Sequence, residues 1–199
     1  MKAVLASKNE KKLRELQEIL SLQGLEVILQ SEAGVDIEVE ETGQTFEENA
    51  ILKAEAVRDR TGMIAISDDS GLMVDALDGA PGVYSARYGG EGLDDTGRFQ
   101  LLLRNMEGKT ERKCRFVCVI CCAFPNGDRI LAKGACHGEL LSEAKGEGGF
   151  GYDPVFYLPD QGKTMAQLSP EEKNQISHRA NALRVFQKEL ENYLNGTHQ

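Results

Sequence analysis

Met63-Ile64-Ala65-Ile66-Ser67-Asp68-Asp69-Ser70-Gly71-Leu72 is the stretch on which the reading of this chain turns. The apolar run, bounded by Gly62 and Gly71, has the length and composition of a short buried strand. Two adjacent carboxylates stand at its end. Ionised carboxylates in such a place are costly unless something cationic meets them. A hard divalent cation with oxygen ligands is the natural partner. Asp-Ser-Gly is equally ordinary turn chemistry, so the stretch by itself fits a plain turn as well. The segments on either side decide between the two.

The chain has 199 residues, enough for one domain over residues 1–199 with a substantial core and room for two lobes. Hydrophobic residues at 41% and charged residues at 28% are the composition of a soluble globular protein. The sequence has no run of eighteen apolar residues, so no membrane span and no membrane partner is expected. The apolar run Ala3-Val4-Leu5-Ala6 stops at Ser7-Lys8-Asn9, too early for a secretory leader, and reads as a first strand. A cytoplasmic protein is expected. Lys and Arg number 23 against 32 Asp and Glu, a net charge of −9. Such an acidic chain is poorly suited to grip long nucleic acid. A small anion remains possible where a few cations converge or a metal bridges the charges. The five cysteines are an odd number, which points to reduced thiols. Cys118 and Cys121 fall on opposite faces of a strand read over 115–124, so a shared zinc is not expected and core packing is.

Around the central stretch, the pattern predicts an α/β order. A helix follows the first strand to about Leu22, with Leu13, Leu16 and Leu20 as its buried stripe and Ser7 or Asn9 as its cap. Lys8, Lys11 and Lys12 stand at the positive end of that helix dipole, where cations are unfavourable unless a phosphate binds. A second strand covers Leu25–Gln30. In Asp36-Ile-Glu38-Val-Glu40-Glu41, Glu38 and Glu40 share one face of an extended segment and Ile37 and Val39 the other. Either a solvated edge or a second carboxylate for a metal, Glu40 or Glu41, explains it. Thr45-Phe-Glu-Glu48 is a capping box opening a helix to about Arg60, with Lys53 on the row of Ala50, Ala54 and Val57. Lys53 there either snorkels or points at an anion.

Residues 77–90 read as an ordered loop rich in glycine and proline, followed by a helix from Asp94 or Thr96 to Met106. A strand over 113–124, a turn at Pro125–Asp128 and a return over 129–141 make a long antiparallel ribbon. Gly146, Gly148 and Gly151 spell the dinucleotide-binding string, but extended residues follow instead of a helix, so that reading fails. The glycines are better read as close backbone approach to a ligand walled by Phe150 and Tyr152. Gly162-Lys163-Thr164 lacks the first glycine of a phosphate loop, since Tyr157 stands there. Ser169-Pro170-Glu171-Glu172 caps a last helical stretch to about Leu194, with Ile176, Ala180, Leu183, Leu190 and Leu194 inward. Lys173 and Arg179 lie roughly 120° apart on a straight helix. Either the helix breaks near Ser177, or these side chains reach round a ligand. Lys173, Ser177, His178 and Arg179 together offer several hydrogen-bond donors.

Six segments, in order, resemble the inosine triphosphate pyrophosphatase family, also called Ham1-like or non-canonical purine NTP pyrophosphatases. They are Ser7-x-Asn9-x-x-Lys12, then Glu41-Thr-Gly-x-Thr45-Phe-x-Glu-Asn49-Ala-x-x-Lys53, then Asp68-Asp69-Ser70-Gly71-Leu72. They continue with Gly79-x-Pro81-Gly82-x-Tyr84-Ser-Ala-Arg87-Tyr, Gly149-Phe150-Gly151-Tyr152-Asp153-Pro154, and Glu172-Lys173-Asn174-x-x-Ser177-His178-Arg179. The resemblance covers nearly the whole chain. It implies a two-lobed α/β fold with a long mixed β-sheet flanked by helices and a substrate cleft between lobes, and a homodimer. It also implies Mg²⁺-dependent hydrolysis of ITP, dITP and XTP to the monophosphate and pyrophosphate, removing deaminated purines from the nucleotide pool. By position, Ser7, Lys8, Asn9, Glu10, Lys11 and Lys12 cradle the triphosphate and Lys53 adds charge. Glu40 or Glu41, with Asp69, holds the metal, and Asp69 accepts the proton of the attacking water. Ser70 touches substrate, Phe150 stacks on the base, and Gly151, Tyr152 and Asp153 shape its pocket. Lys173, Ser177, His178 and Arg179 close around the base. Two departures stand out: Lys8 replaces a glycine of many relatives, and Tyr152 a tryptophan of some.

Two other functions fit parts of the pattern. A pyrophosphatase for pyrimidine or other modified triphosphates would need a different set at Phe150, Asp153, His178 and Arg179. A catalytically silent nucleotide sensor would not need Asp69 and its neighbouring glutamates.

Overall fold

The computed structural model describes residues 1–8, 10–20 and 24–196, apart from the side chains of Lys11, Lys12, Glu15, Glu18 and Ile19. The expected caps and phosphate contacts of Asn9, Lys11 and Lys12 therefore lie outside what is described, as does the helix end at residues 21–23. The chain is α/β. Strand β1 (Lys2–Leu5) leads into helix α1 (Glu10–Leu20), then β2 (Glu26–Leu29), α2 (Phe46–Thr61) and β3 (Ile64–Val74). Helix α3 (Asp95–Asn105), β4 (Lys113–Ala123) and β5 (Arg129–Leu140) follow, then the short β6 (Phe156–Leu158) and β7 (Lys163–Thr164), and helices α4 (Pro170–Ile176) and α5 (His178–Leu194). The strands form one mixed sheet in the order β2-β1-β3-β4-β5-β6-β7. β1 runs parallel to β2 and β3, while β6 runs antiparallel to β5 and β7. Among the described residues no helix is long and apolar enough to cross a membrane.

The chain divides into two compact units. The first comprises Met1–Asp69, Cys118–Gly134 and the segment from Ala182, and the second Ser70–Val117 and Ala135–Asn181. Alternation along the strands organises the first unit. Ala3, Leu5, Val27, Ile66, Ile120 and Ile130 point to the face covered by Leu16 and Leu20 of α1 and by Leu183, Phe186 and Leu190 of α5. Val4 and Ala65, on the other parity, meet Val57 of α2. The second unit has its own core, in which Leu72, Val74, Phe99, Leu102, Phe116, Tyr152 and Phe156 pack together. All five cysteines are buried and outside any disulfide, with Cys118 and Cys122 in the first unit's core.

Several expectations need correction. β3 does not stop at Gly71 but runs on to Val74, so Asp68 and Asp69 lie inside a strand rather than at its end. Glycine has no side chain to oppose extension, and pairing continues past it. Residues 77–90 begin at the end of one 3₁₀ turn, Asp75–Leu77, and contain another, Gly82–Arg87. Asp153–Val155 is also a 3₁₀ turn, and extended backbone starts only at Phe156. Thr45 caps α2 by accepting the Glu48 N–H at 3.1 Å, but the Glu48 carboxylate reaches the Gln44 N–H at 2.6 Å, one residue before the position a capping box requires. The box at Ser169 and Glu172 is closed on both sides. Leu194 is exposed, whereas Ala182 and Phe186 are buried in its place. Leu194 is the last residue of α5, and Ala180, Leu183 and Leu190 are buried as expected.

Candidate active site

In the first unit the site is built where α2 lies against β3. Ala50, Ala54 and Val57 are small or compact and fully buried, so the helix packs close. Ser67 of β3 donates to the Ala50 carbonyl at 2.5 Å, fixing helix against strand. Asn49, one residue earlier and fully buried, accepts the Gly43 N–H at 2.8 Å through Oδ1. It thereby ties the segment before α2 to the helix. A Cβ at Gly43 would meet Asn49 Oδ1 at 2.6 Å, so this approach requires glycine.

This scaffold delivers three charged groups to one place. Lys53 Nζ, from α2, stands 2.7 Å from Glu41 Oε1 and 3.2 Å from Asp69 Oδ1. Glu41 rather than Glu40 meets Lys53 because of parity: Ile37, Val39 and Glu41 are half-buried, while Glu38 and Glu40 are exposed. Burial works against the Lys53 ammonium, but Asp69, Glu41 and Asp68 overcome it and hold its pKa above the ordinary value. Asp69, only 7% exposed, is shifted upward. Its burial is the main cause; Lys53 opposes the shift and Glu41 adds to it. Asn49 also lies near enough to favour the ionised form, although its Nδ2 is outside hydrogen-bonding geometry. Asp69 Oδ2 is buried and accepts no hydrogen bond among the described residues. Such an oxygen normally has a partner.

Asp69 and Glu41 are the residues that could hold a divalent ion. No group of three or more His, Cys, Asp or Glu among the described residues is arranged as a metal cage. Two carboxylates suit Mg²⁺, which takes one or two from the protein and the rest from water and phosphates. Of the expected phosphate cradle, Ser7 is half-buried after β1 and Glu10 lies in the first turn of α1. Lys8 is exposed and paired with Asp36 Oδ1 at 2.6 Å, a partner that its neighbours in sequence did not signal.

In the second unit the glycine-rich loop presents Phe150, 54% exposed. Lys173 Nζ sits 4.6 Å from the centre of its ring and 2.5 Å from Asp153 Oδ2. Asp153, 3% exposed, also accepts the Phe150 N–H at 3.1 Å. Lysine, carboxylate and ring form one contacting group. Gly149 has φ +71°, and a Cβ there would collide with the Asp153 carboxylate. Asp95 of α3 accepts the Gly151 N–H at 2.7 Å. Tyr152 is not an open wall: it is buried, and its hydroxyl donates to the Ser85 carbonyl at 2.7 Å. Ser177 is buried between α4 and α5, where its Oγ accepts the Ala180 N–H at 3.1 Å and caps α5. His178 stacks on Phe116 with centroids 4.9 Å apart, and Arg179 follows half-buried. Ser70 lies half-buried on β3.

Asn49, Ser85 and Asp95 had no expected role. Asn49 was visible within the Thr45–Lys53 motif. Ser85 and Asp95 act on residues more than fifty positions away, and no local pattern marks such bonds.

These features define an α/β protein with a charged cluster suited to phosphate and metal, and a ring–cation–carboxylate group suited to a planar ring. The chain belongs to the Ham1 family, which it matches over residues 3–189. It is 53% identical over 186 residues to a dITP/XTP pyrophosphatase of Desulforamulus reducens, covering 92% of each chain. It is 48% identical over 195 residues to a dITP/XTP pyrophosphatase of Geobacillus kaustophilus, covering 97% of this chain and 96% of that one. The Ham1 protein structure from Staphylococcus aureus superposes with a TM-score of 0.91 at 47% identity, covering 97% of this chain and all of that one.

Proposed function

We propose that this chain hydrolyses non-canonical purine nucleoside triphosphates, dITP, XTP and ITP, to the nucleoside monophosphate and pyrophosphate. The observation that carries the reading is the buried Asp69, with one oxygen on Lys53 and the other without a hydrogen-bond partner among the described residues. The near full-length similarity to dITP/XTP pyrophosphatases supports it. Water must attack a phosphorus surrounded by negative oxygens, so cations must neutralise charge while a carboxylate takes the proton. Asp69 is the proton acceptor, and its upward shift toward neutrality suits it as a base. Lys53 carries positive charge to the phosphates, with Ser7 and the lysines near α1 adding contacts. Mg²⁺, held by Asp69 and Glu41, supplies further charge neutralisation when bound.

The second unit's residues address the base. Phe150 offers its ring for stacking, and Lys173 and Asp153 fix that ring. Hypoxanthine and xanthine carry a carbonyl at C6, where adenine carries an amino group. Donors from His178 and Arg179 satisfy the carbonyl and oppose the amino group, which gives discrimination. On the same reading the enzyme is a cytoplasmic homodimer.

The test is pyrophosphate release from dITP, XTP, ITP, GTP, ATP and CTP, with Mg²⁺ and with EDTA. Release from the first three alone, abolished by EDTA, is expected. Equal rates on all six, or release of single phosphate, would overturn the assignment. Tight binding of ITP without turnover would favour the sensor reading.

A further inference from the structure

Lys53 does more than add a positive charge. Its ammonium stands between two carboxylates, 2.7 Å from Glu41 and 3.2 Å from Asp69. Its side chain is 14% exposed, and its neighbours Ala50, Ala54 and Val57 on the same helical row are fully buried. The groups that face it are Glu41 from the segment before α2 and Asp68 and Asp69 from β3, while the amide of Asn49, from α2 itself, lies beside Asp69. The two carboxylates in contact carry −2 and the lysine +1. These three groups together carry −1, and the lysine sits on Glu41 Oε1 and Asp69 Oδ1, oxygens of the two carboxylates that would hold a divalent ion.

We propose that Lys53 is a resident counter-cation that competes with the divalent ion for Glu41 and Asp69, so that metal is held tightly only together with a phosphate that draws the lysine away. A second cation entering beside an ammonium at this distance meets strong repulsion in a poorly hydrated place. A lysine on its flexible four-carbon stem can leave one set of oxygens for another. Substrate phosphates supply that second set, which couples metal and nucleotide binding. The inference rests on the pyrophosphatase reading for the identity of the phosphate. Its core claim, competition between lysine and metal, concerns the free protein.

Mn²⁺ binding to the free protein, followed by isothermal titration without nucleotide, tests it. Lys53→Met and Lys53→Gln are expected to bind Mn²⁺ about tenfold tighter than the unaltered chain, within the usual range for coupled sites. Lys53→Arg keeps the charge and is expected to bind as weakly as the unaltered chain. Lys133→Met removes an equal charge from an exposed pair with Glu47 and is expected to change little. In melting curves, Mn²⁺ should raise the melting temperature of Lys53→Met more than that of the unaltered chain. Unchanged or weaker Mn²⁺ binding in both neutral variants would overturn the proposal, as would an equal gain in Lys133→Met. Failure of the pyrophosphatase reading shows separately, as absent pyrophosphate release by the unaltered chain.

Discussion

Asp69→Asn should make a protein that is inactive yet more stable. The substitution keeps the shape and leaves an oxygen for Lys53, but removes the charge and the proton acceptor. Loss of a general base costs about 10²–10⁴-fold in turnover. Stability moves the other way. The pair is described from both ends: the lysine is stabilised by its partners, whereas Asp69 is shifted upward. The Asp69 shift decides the sign, because it already includes the attraction of a positive Lys53. Despite that attraction, the ionised carboxylate is worse off folded than unfolded, through burial first and Glu41 second. Relieving one poorly satisfied buried acceptor is worth about 1–3 kcal/mol. At the lower end this raises the melting temperature of a chain this long by about 2–4 °C.

The pH dependence carries the same sign. A carboxyl raised above its ordinary 3.8 costs stability above its folded pKa. That cost fades as pH falls through the folded value and is gone below the unfolded one. The gap between Asp69→Asn and the unaltered chain should therefore be widest at neutral pH and close on acidification. Melting curves in EDTA from pH 8 to pH 4, with pyrophosphate release measured at pH 8, make the test. A variant that melts lower at pH 8, or keeps turnover within about tenfold, would refute the reasoning.

Other perturbations have equally definite outcomes. Lys173→Met strips the cation from buried Asp153, a loss of about 3 kcal/mol, and should lower the melting temperature by about 6–12 °C; an unchanged melt would mean the pair contributes nothing. Ser177→Ala removes the cap of α5 and should cost about 1 kcal/mol in denaturant unfolding, with Ser177→Asn recovering most of it. Burial pushes the Cys121 thiol up to about 12 and the Cys136 thiol up to about 11. All five thiols are buried, so fewer than one per chain should react with a disulfide reagent at pH 8 before denaturant is added, and all five after. Rapid reaction in the native state would show that these strands open.

Much of the fold is legible because local rules and burial agree. The leucine stripe of α1, the Thr45 and Ser169 caps, and the turn between β4 and β5 are short-range patterns, set by neighbours three or four residues apart. Alternation in β4 separates Cys118 from Cys121, as read from the residues alone. Alternation in residues 36–41 also bears on which glutamate reaches Lys53, since Glu41 shares the inward parity of Ile37 and Val39. The sequence shows the parity but not which face is inward.

What the chain determines by itself is the set of elements, the chemical types at the motif positions and the family resemblance that their order carries. Tertiary structure alone decides how those types are used. Asp68 and Asp69 inside a long strand look like a turn when Gly71 is read locally, because pairing with neighbouring strands is not encoded in adjacent residues. Lys53 is a charge on a helix until β3 places Asp69 beside it, sixteen residues later. Tyr152 looks like a pocket wall until Ser85, sixty-seven positions earlier, takes its hydroxyl. Side-chain type is local, but partnership depends on chain segments that meet only when the sheet forms, and burial then sets the energy of each pair.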